Sequence, residues 1–230
     1  MIRTRADGDV RVVTIDRPKR KNALRPAELT ALEAAVAEAD EPVICLRGAG
    51  DAFCAGADFE VVTSLADPVA FAAHGQRTAA ALAESEAVVV CGIDGPARGG
   101  GVELALAADV RVATPDATFA EPGVRFGLFG AWGGTIRLPR VMGAGEALDF
   151  ALSGRVLDAE AALRTGLVSR IVDDPRAVAD EIAHGKADAL ATVKHRLRDR
   201  RDADTQEAAE AEAFATLVEQ YADRIAESRG

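Results

Sequence analysis

The sequence predicts an α/β protein. Three observations carry that reading. Short β-branched runs end at glycine or proline, alanine-rich stretches with apolar residues at helical spacing lie between them, and the second half turns mostly helical. Residues 10–15 (VRVVTI) form the first expected strand; Arg17-Pro18 stops it, because proline brings no N–H to a ladder. Residues 26–39 read as a helix. Residues 43–47 (VICLR) form a short buried strand, and a glycine-bearing loop covers 48–56. A helix over 67–84 and a strand over 88–93 (VVVCGI) follow. The chain then turns at Gly95-Pro96, passes three glycines, and continues as a helix over 102–108 and a strand over 110–113. Beyond these come a helix over 143–152, a helix start at Asp158 with its own capping side chain, and a short strand over 168–172. From Pro175 onward the chain is charged, alanine-rich and helical.

Composition narrows the function. A chain of 230 residues, 49% hydrophobic and 28% charged, can build one real core with a helical appendage. Its net charge of −10 argues against nucleic-acid binding. The apolar runs fall far short of a membrane span, and Met1-Ile2-Arg3-Thr4-Arg5 lacks an apolar signal core. A cytoplasmic protein without a membrane partner is therefore expected. Cys45, Cys54 and Cys91 are odd in number and unpaired in spacing, which fits a reducing compartment. His74, His184 and His195 are scattered with no ligand spacing, so no metal is expected.

Two glycine-bearing segments carry the chemistry: residues 52–58 (AFCAGAD) and 94–104 (DGPARGGGVEL). In the second, glycines lie between a strand and a helix. Free N–H groups at the positive end of a helix dipole suit a phosphate, a carboxylate or a carbonyl oxygen gaining charge. Neither a dinucleotide fingerprint nor a P-loop is present. Taken alone, such a turn is equally explained by close strand–helix packing.

The combination of segments is more specific. Asp16-Arg17-Pro18 to Asn22-Ala23-Leu24, Phe53 to Asp58, Gly95-Pro96-Ala97 with Gly99-Gly100-Gly101 and Glu103-Leu104-Ala105, then residues 133–140 (GGTIRLPR) and 154–160 (GRVLDAE), occur in order. With these five motifs the chain resembles the enoyl-CoA hydratase/isomerase (crotonase) family over nearly its whole length. The resemblance implies a spiral of ββα units over 1–178, and a helical C-terminal region over 179–230 that helps form trimers or hexamers. It implies an acyl-CoA substrate, with coenzyme A as part of that substrate and no covalently bound cofactor. It also implies an oxyanion hole from the N–H groups of Ala57 and Gly100, with Glu103 as acid/base. Coenzyme A contacts are implied at Lys19, Arg20, Lys21, Ala23, Ala55 and Asp58. The acyl pocket is expected at Phe59, Phe126, Phe129 and Trp132, although core packing explains each of these bulky residues equally well.

One family position differs. The second glutamate of hydratases follows a proline, but the segment here is Phe119-Ala120-Glu121-Pro122-Gly123, and Gly123 stands where that carboxylate is expected. Three readings follow. Glu103 acts alone, and a glutamate introduced at 123 would speed hydration; or Glu121 reaches in from two residues upstream; or the chain is a family hydrolase, a decarboxylase or a non-catalytic acyl-CoA binder. Outside the site, Glu121 reads equally as a surface or salt-bridged residue, Lys19-Arg20-Lys21 as a solvated basic turn, and Arg98 as reaching toward a diphosphate or a substrate carboxylate.

Overall fold

Residues 1–227 are described by the computed structural model. Its strands are β1 (Ile2–Asp7), β2 (Val10–Ile15), β3 (Val43–Gly48), β4 (Val88–Ile93), β5 (Pro96–Arg98), β6 (Val110–Ala113), β7 (Thr118–Ala120), β8 (Leu157–Asp158) and β9 (Arg170–Ile171). Its helices are α1 (Pro26–Ala37), α2 (Phe59–Val62), α3 (Pro68–Glu84), α4 (Gly100–Ala107), α5 (Gly134–Val141), α6 (Ala144–Ser153), α7 (Ala159–Arg164), α8 (Pro175–Ala183), α9 (Ala187–Arg198) and α10 (Ala203–Glu227).

The main sheet runs β1-β2-β3-β4-β6-β9, antiparallel at β1–β2 and parallel from β2 onward. Parallel central strands are covered on both faces and read as continuous apolar runs. Accordingly, every residue of β4 is buried. β1 and β9 are the edge strands; after Ile2 the residues of β1 are exposed, so its Arg-Thr-Arg sequence gives no strand periodicity. Helix α1 packs on α3, α3 on α4 and α4 on α5, while α8 lies across β2, β3, β4 and β6.

A second, smaller sheet orders β5-β7-β8. Its strands are only two or three residues long, and one of them lies inside the glycine-rich turn itself. The parallel β5–β7 pairing, Pro96 with Thr118 through Arg98 with Ala120, joins the two stretches of chain that carry glutamates.

By internal contacts the chain divides into Met1–Ala183 and His184–Gly230. In the second unit α9 packs on α10, and Asp188 accepts hydrogen bonds from the Tyr221 hydroxyl at 3.0 Å and from the Gln220 amide. The helical region expected over 179–230 thus holds α9, α10 and the end of α8; residues 228–230 lie outside the described residues.

Candidate active site

The site begins with a locked turn. Asn22 is fully buried, with a left-handed backbone (φ 57°), which asparagine tolerates better than most residues. Its amide donates to the carbonyls of Ala49 (2.9 Å) and Ala52 (2.7 Å), and its Oδ1 accepts from the Arg17 N–H at 2.9 Å. One turn is thereby tied to the other. Leu24 then pairs with Ala57: the Leu24 N–H donates to Gly56 O at 2.8 Å, and its carbonyl accepts from Asp58 at 2.9 Å. This parallel pairing uses both groups of Leu24 and turns the Ala57 N–H away from it.

Gly56 (φ +85°) lies so close to the second segment that a Cβ there would stand 2.7 Å from Arg98 O and 2.8 Å from Gly100 N. Only glycine allows that approach. Gly100 is the first residue of α4, so its N–H has no partner within the helix and lies at the positive dipole end. The backbone at Gly56, next to Ala57, thus lies against the start of α4 at Gly100.

Two carboxyl groups adjoin this pair. Glu103, in the first turn of α4, is 2% exposed. Its Oε1 accepts from the Trp132 and Gly134 N–H groups, both at 2.7 Å. Burial raises its pKa; these two N–H groups and the Arg137 charge partly offset that rise. Glu121 follows directly on β7, and the Gly99 N–H bonds Ala120 O at 3.0 Å, so this carboxyl is carried to the start of α4. It is 6% exposed, and its buried Oε1 has no hydrogen-bond partner among the described residues. Burial first, and the Glu103 charge second, push its pKa up to about 8. The two N–H donors favour the charged form of Glu103, whereas Glu121 has no such donor at Oε1 and is protonated at neutral pH. Glu121 is therefore buried and forms no salt bridge among the described residues.

An apolar cavity of about 440 Å³ opens from these groups. Glu121, Gly130 and Gly134 form one end, and Phe129, Leu138, Leu148 and Leu152 are among its walls. Cβ atoms placed on Gly130 or Gly134 would come within 2.8–2.9 Å of the Glu103 carboxyl group, so the cavity ends against both carboxyls.

Residues 5–229 match the family model described as enoyl-CoA hydratase/isomerase. The chain belongs to that family. It is 32% identical over 223 residues to the short-chain-enoyl-CoA hydratase of Clostridium acetobutylicum, covering 90% of this chain and 85% of that one. Its fold superposes on the crystal structure of enoyl-CoA hydratase from Thermoplasma volcanium with a TM-score of 0.88 at 30% identity, over 94% and 91% of the two chains. An enoyl-CoA hydratase structure from Bacillus anthracis gives 0.87 at 27% identity, over 95% and 91%. The fold is thus the crotonase fold, and the chain is an enzyme of the hydratase/isomerase family.

Seen as a family member, the chain distributes its expected site residues unevenly. Ala57, Gly100, Glu103 and Glu121 come together. Asp58 is 6% exposed and bonded through Oδ2 to the Arg17 guanidinium at 3.1 Å; its Oδ1 accepts from the Glu60 N–H at the start of α2. It therefore positions the turn rather than facing a ligand. Ala23 is buried and its carbonyl accepts from Arg17, while the Ala55 N–H donates to Lys21 O at 2.9 Å. Lys19, Arg20 and Lys21 are exposed; Arg20 pairs with Glu60 at 2.8 Å and Lys21 with Asp51 at 2.5 Å. Exposed pairs of this kind are weak and break readily for a stronger anion.

Among the expected pocket residues, Phe129 lines the cavity. Phe59 and Phe126 meet edge to face with centroids 5.4 Å apart, are largely exposed and are not among its walls. Trp132 is 3% exposed within the core, against Phe71 and over Gly100. The α6 side of the cavity was not anticipated: Leu148 and Leu152 follow helical spacing, and nothing in that spacing distinguishes a cavity wall from any exposed apolar pair. Arg98 donates to Ala97 O, Thr118 O and Thr118 Oγ1 at 2.7–2.9 Å, so it ties β5 to β7 and does not extend to a ligand.

Gly123 corrects one expectation. Leu128 donates to its carbonyl at 2.9 Å, and a Cβ at 123 would stand 2.9 Å from Leu128 O and 3.1 Å from the Phe129 Cα. A glutamate there displaces backbone instead of reaching the site, so its introduction is no simple way to restore a second acid.

Proposed function

We propose that this enzyme hydrates 2-enoyl-CoA thioesters. The carrying observation is the buried, unpartnered Glu121 carboxyl beside a Glu103 held by two backbone N–H groups. In this reading the thioester oxygen rests on the Ala57 and Gly100 N–H groups, which stabilise enolate charge as it develops. Ionised Glu103 takes a proton from water as the water oxygen bonds the β-carbon. The C=C π electrons move toward the thioester, and protonated Glu121 delivers its proton to the α-carbon. One water is added; Glu103 ends protonated and Glu121 ionised, and proton exchange with solvent resets the pair. Both chemical roles fit the separate environments of the two carboxyls. Movement of the double bond uses the same hole with one carboxyl relaying the proton; the second buried carboxyl favours hydration.

Lys19, Arg20 and Lys21 are proposed to meet the phosphates of coenzyme A. Assembly as a trimer or hexamer in the cytoplasm completes the proposal. Exposed Val193, Leu197, Phe214 and Val218 on α9 and α10 support assembly, since such faces favour a partner surface. Light scattering at micromolar protein is expected to give a multiple of three chains; a single-chain mass would refute it.

The direct test is the pH profile of kcat/KM. Only protonated Glu121 donates, so activity holds below a pKa near 8 and falls as pH rises through it. The fall approaches about tenfold per pH unit. Glu121→Gln is expected to lower the rate by at least about a hundredfold and to remove that alkaline limb. A wild-type rate flat to high pH, together with an active Glu121→Gln, would remove Glu121 from the mechanism.

A further inference from the structure

The cavity beside the two carboxyls is larger than a short acyl group, and Glu121, protonated at neutral pH, is the one ionisable side chain in its lining among the described residues. Its far wall comes from α6 through Ala147, Leu148, Ala151 and Leu152, opposite Val124 and Phe129 of the segment that follows Pro122. No lysine or arginine is among its lining residues. A carboxylate on the acyl tail would lose its hydration there without gaining a cation, a loss that apolar walls do not offset. A four-carbon tail would leave most of the space unfilled. Taking a methylene as close in size to a water, roughly 30 Å³ each, the volume would hold at most about fourteen carbons; because Phe129, Leu148 and Leu152 leave the cavity open on one side, a chain of about eight to twelve fits it.

We infer that the acyl part of the substrate is an uncharged, medium-length chain of about eight to twelve carbons, seated between α6 and the 123–130 segment. This rests on the acyl-CoA reading above and narrows it. The placement follows from continuity. Gly130 and Gly134 line the cavity and also lie against the Glu103 carboxyl, so a thioester held at Ala57 and Gly100 has the opening directly beyond its reacting carbons.

Binding of saturated acyl-CoAs, which undergo no hydration, separates the cavity from the chemistry. Each methylene moved from water into an apolar cavity improves affinity by about fourfold when fully buried. Decanoyl-CoA is therefore expected to bind the full-length protein at least about thirtyfold tighter than butyryl-CoA in calorimetry, allowing for partial burial. Glutaryl-CoA is expected to bind no better than butyryl-CoA. Ala151→Phe, which fills the α6 side, is expected to bring the decanoyl advantage down to a few fold. Butyryl- and decanoyl-CoA affinities within about threefold of each other in the wild type, or a preference for glutaryl-CoA, would overturn the inference. Preference for decanoyl-CoA without turnover of any enoyl-CoA would uphold the cavity assignment while removing the hydratase reading.

Discussion

Glu103→Gln is expected to slow enoyl-CoA hydration by about a thousandfold, close to 4 kcal/mol of barrier, while leaving acyl-CoA affinity nearly unchanged. The glutamine keeps the shape of the side chain and an oxygen that can accept from Trp132 and Gly134, so the turn before α5 and the α4 start stay in place. What it loses is the second oxygen as a proton acceptor and the negative charge. Glu103→Ala is a poorer test, because it strands two buried N–H donors at a cost of about 1–3 kcal/mol each and mixes stability with chemistry. Single-turnover rates on an enoyl-CoA, alongside calorimetry on its saturated counterpart, separate kcat from binding. A Glu103→Gln rate within about threefold of wild type would assign the proton transfer elsewhere.

Trp132→Ala is expected to cost about 3–5 kcal/mol of stability, the range for deleting a large aromatic side chain from a packed interior. The ring lies in the core beside Phe71, and its six-membered portion sits over Gly100, where a Cβ would come within 2.3 Å of it. Backbone and ring thus act on different partners: the N–H holds Glu103, and the ring backs the helix start that presents the Gly100 N–H. Urea titrations are expected to show a lower midpoint with an unchanged slope. Acyl-chain preference is expected to stay the same, since Trp132 is not among the cavity walls. A loss below about 1 kcal/mol combined with a shift toward bulkier thioesters would return Trp132 to the acyl pocket.

The sequence made some elements plain and hid others for physical reasons. Residues 43–47 and 88–93 are apolar runs between turn signals and appear as β3 and β4; the alanine-rich segments appear as α1 and α3. β1 was missed because an exposed edge needs no apolar alternation. β5, β7 and β8 were missed because two or three residues carry no period. α5 was missed because it opens on Gly133-Gly134 and contains Pro139. Of the strand expected over 168–172, only Arg170–Ile171 is ladder; Ser169 and Val172 bond the backbones of Arg111 and Ala113 on either side.

In the site, the glycine pattern and its spacing to Glu103 were readable because backbone approach demands glycine. Burial of Glu121 was not, because it depends on β5 and β7 pairing residues that are distant in sequence, such as Pro96 with Thr118. Asp58 and Arg98 looked available to a ligand for the same reason: the partners that occupy them, Arg17 and Thr118, are distant in sequence.

The closed space at Gly123 has a consequence for how such a site can change over generations. In the proposed mechanism Glu121 supplies the carboxyl that the family places two residues later, at 123, so the two positions serve one role from different points of the backbone. Filling 123 first pushes against Leu128 and Phe129 before it contributes anything, and removing Glu121 first leaves the pair incomplete. Moving the carboxyl to 123 calls for the 127–130 segment to move at the same time. With the 127–130 segment closed over residue 123, the packing favours keeping the carboxyl at 121 over moving it to 123.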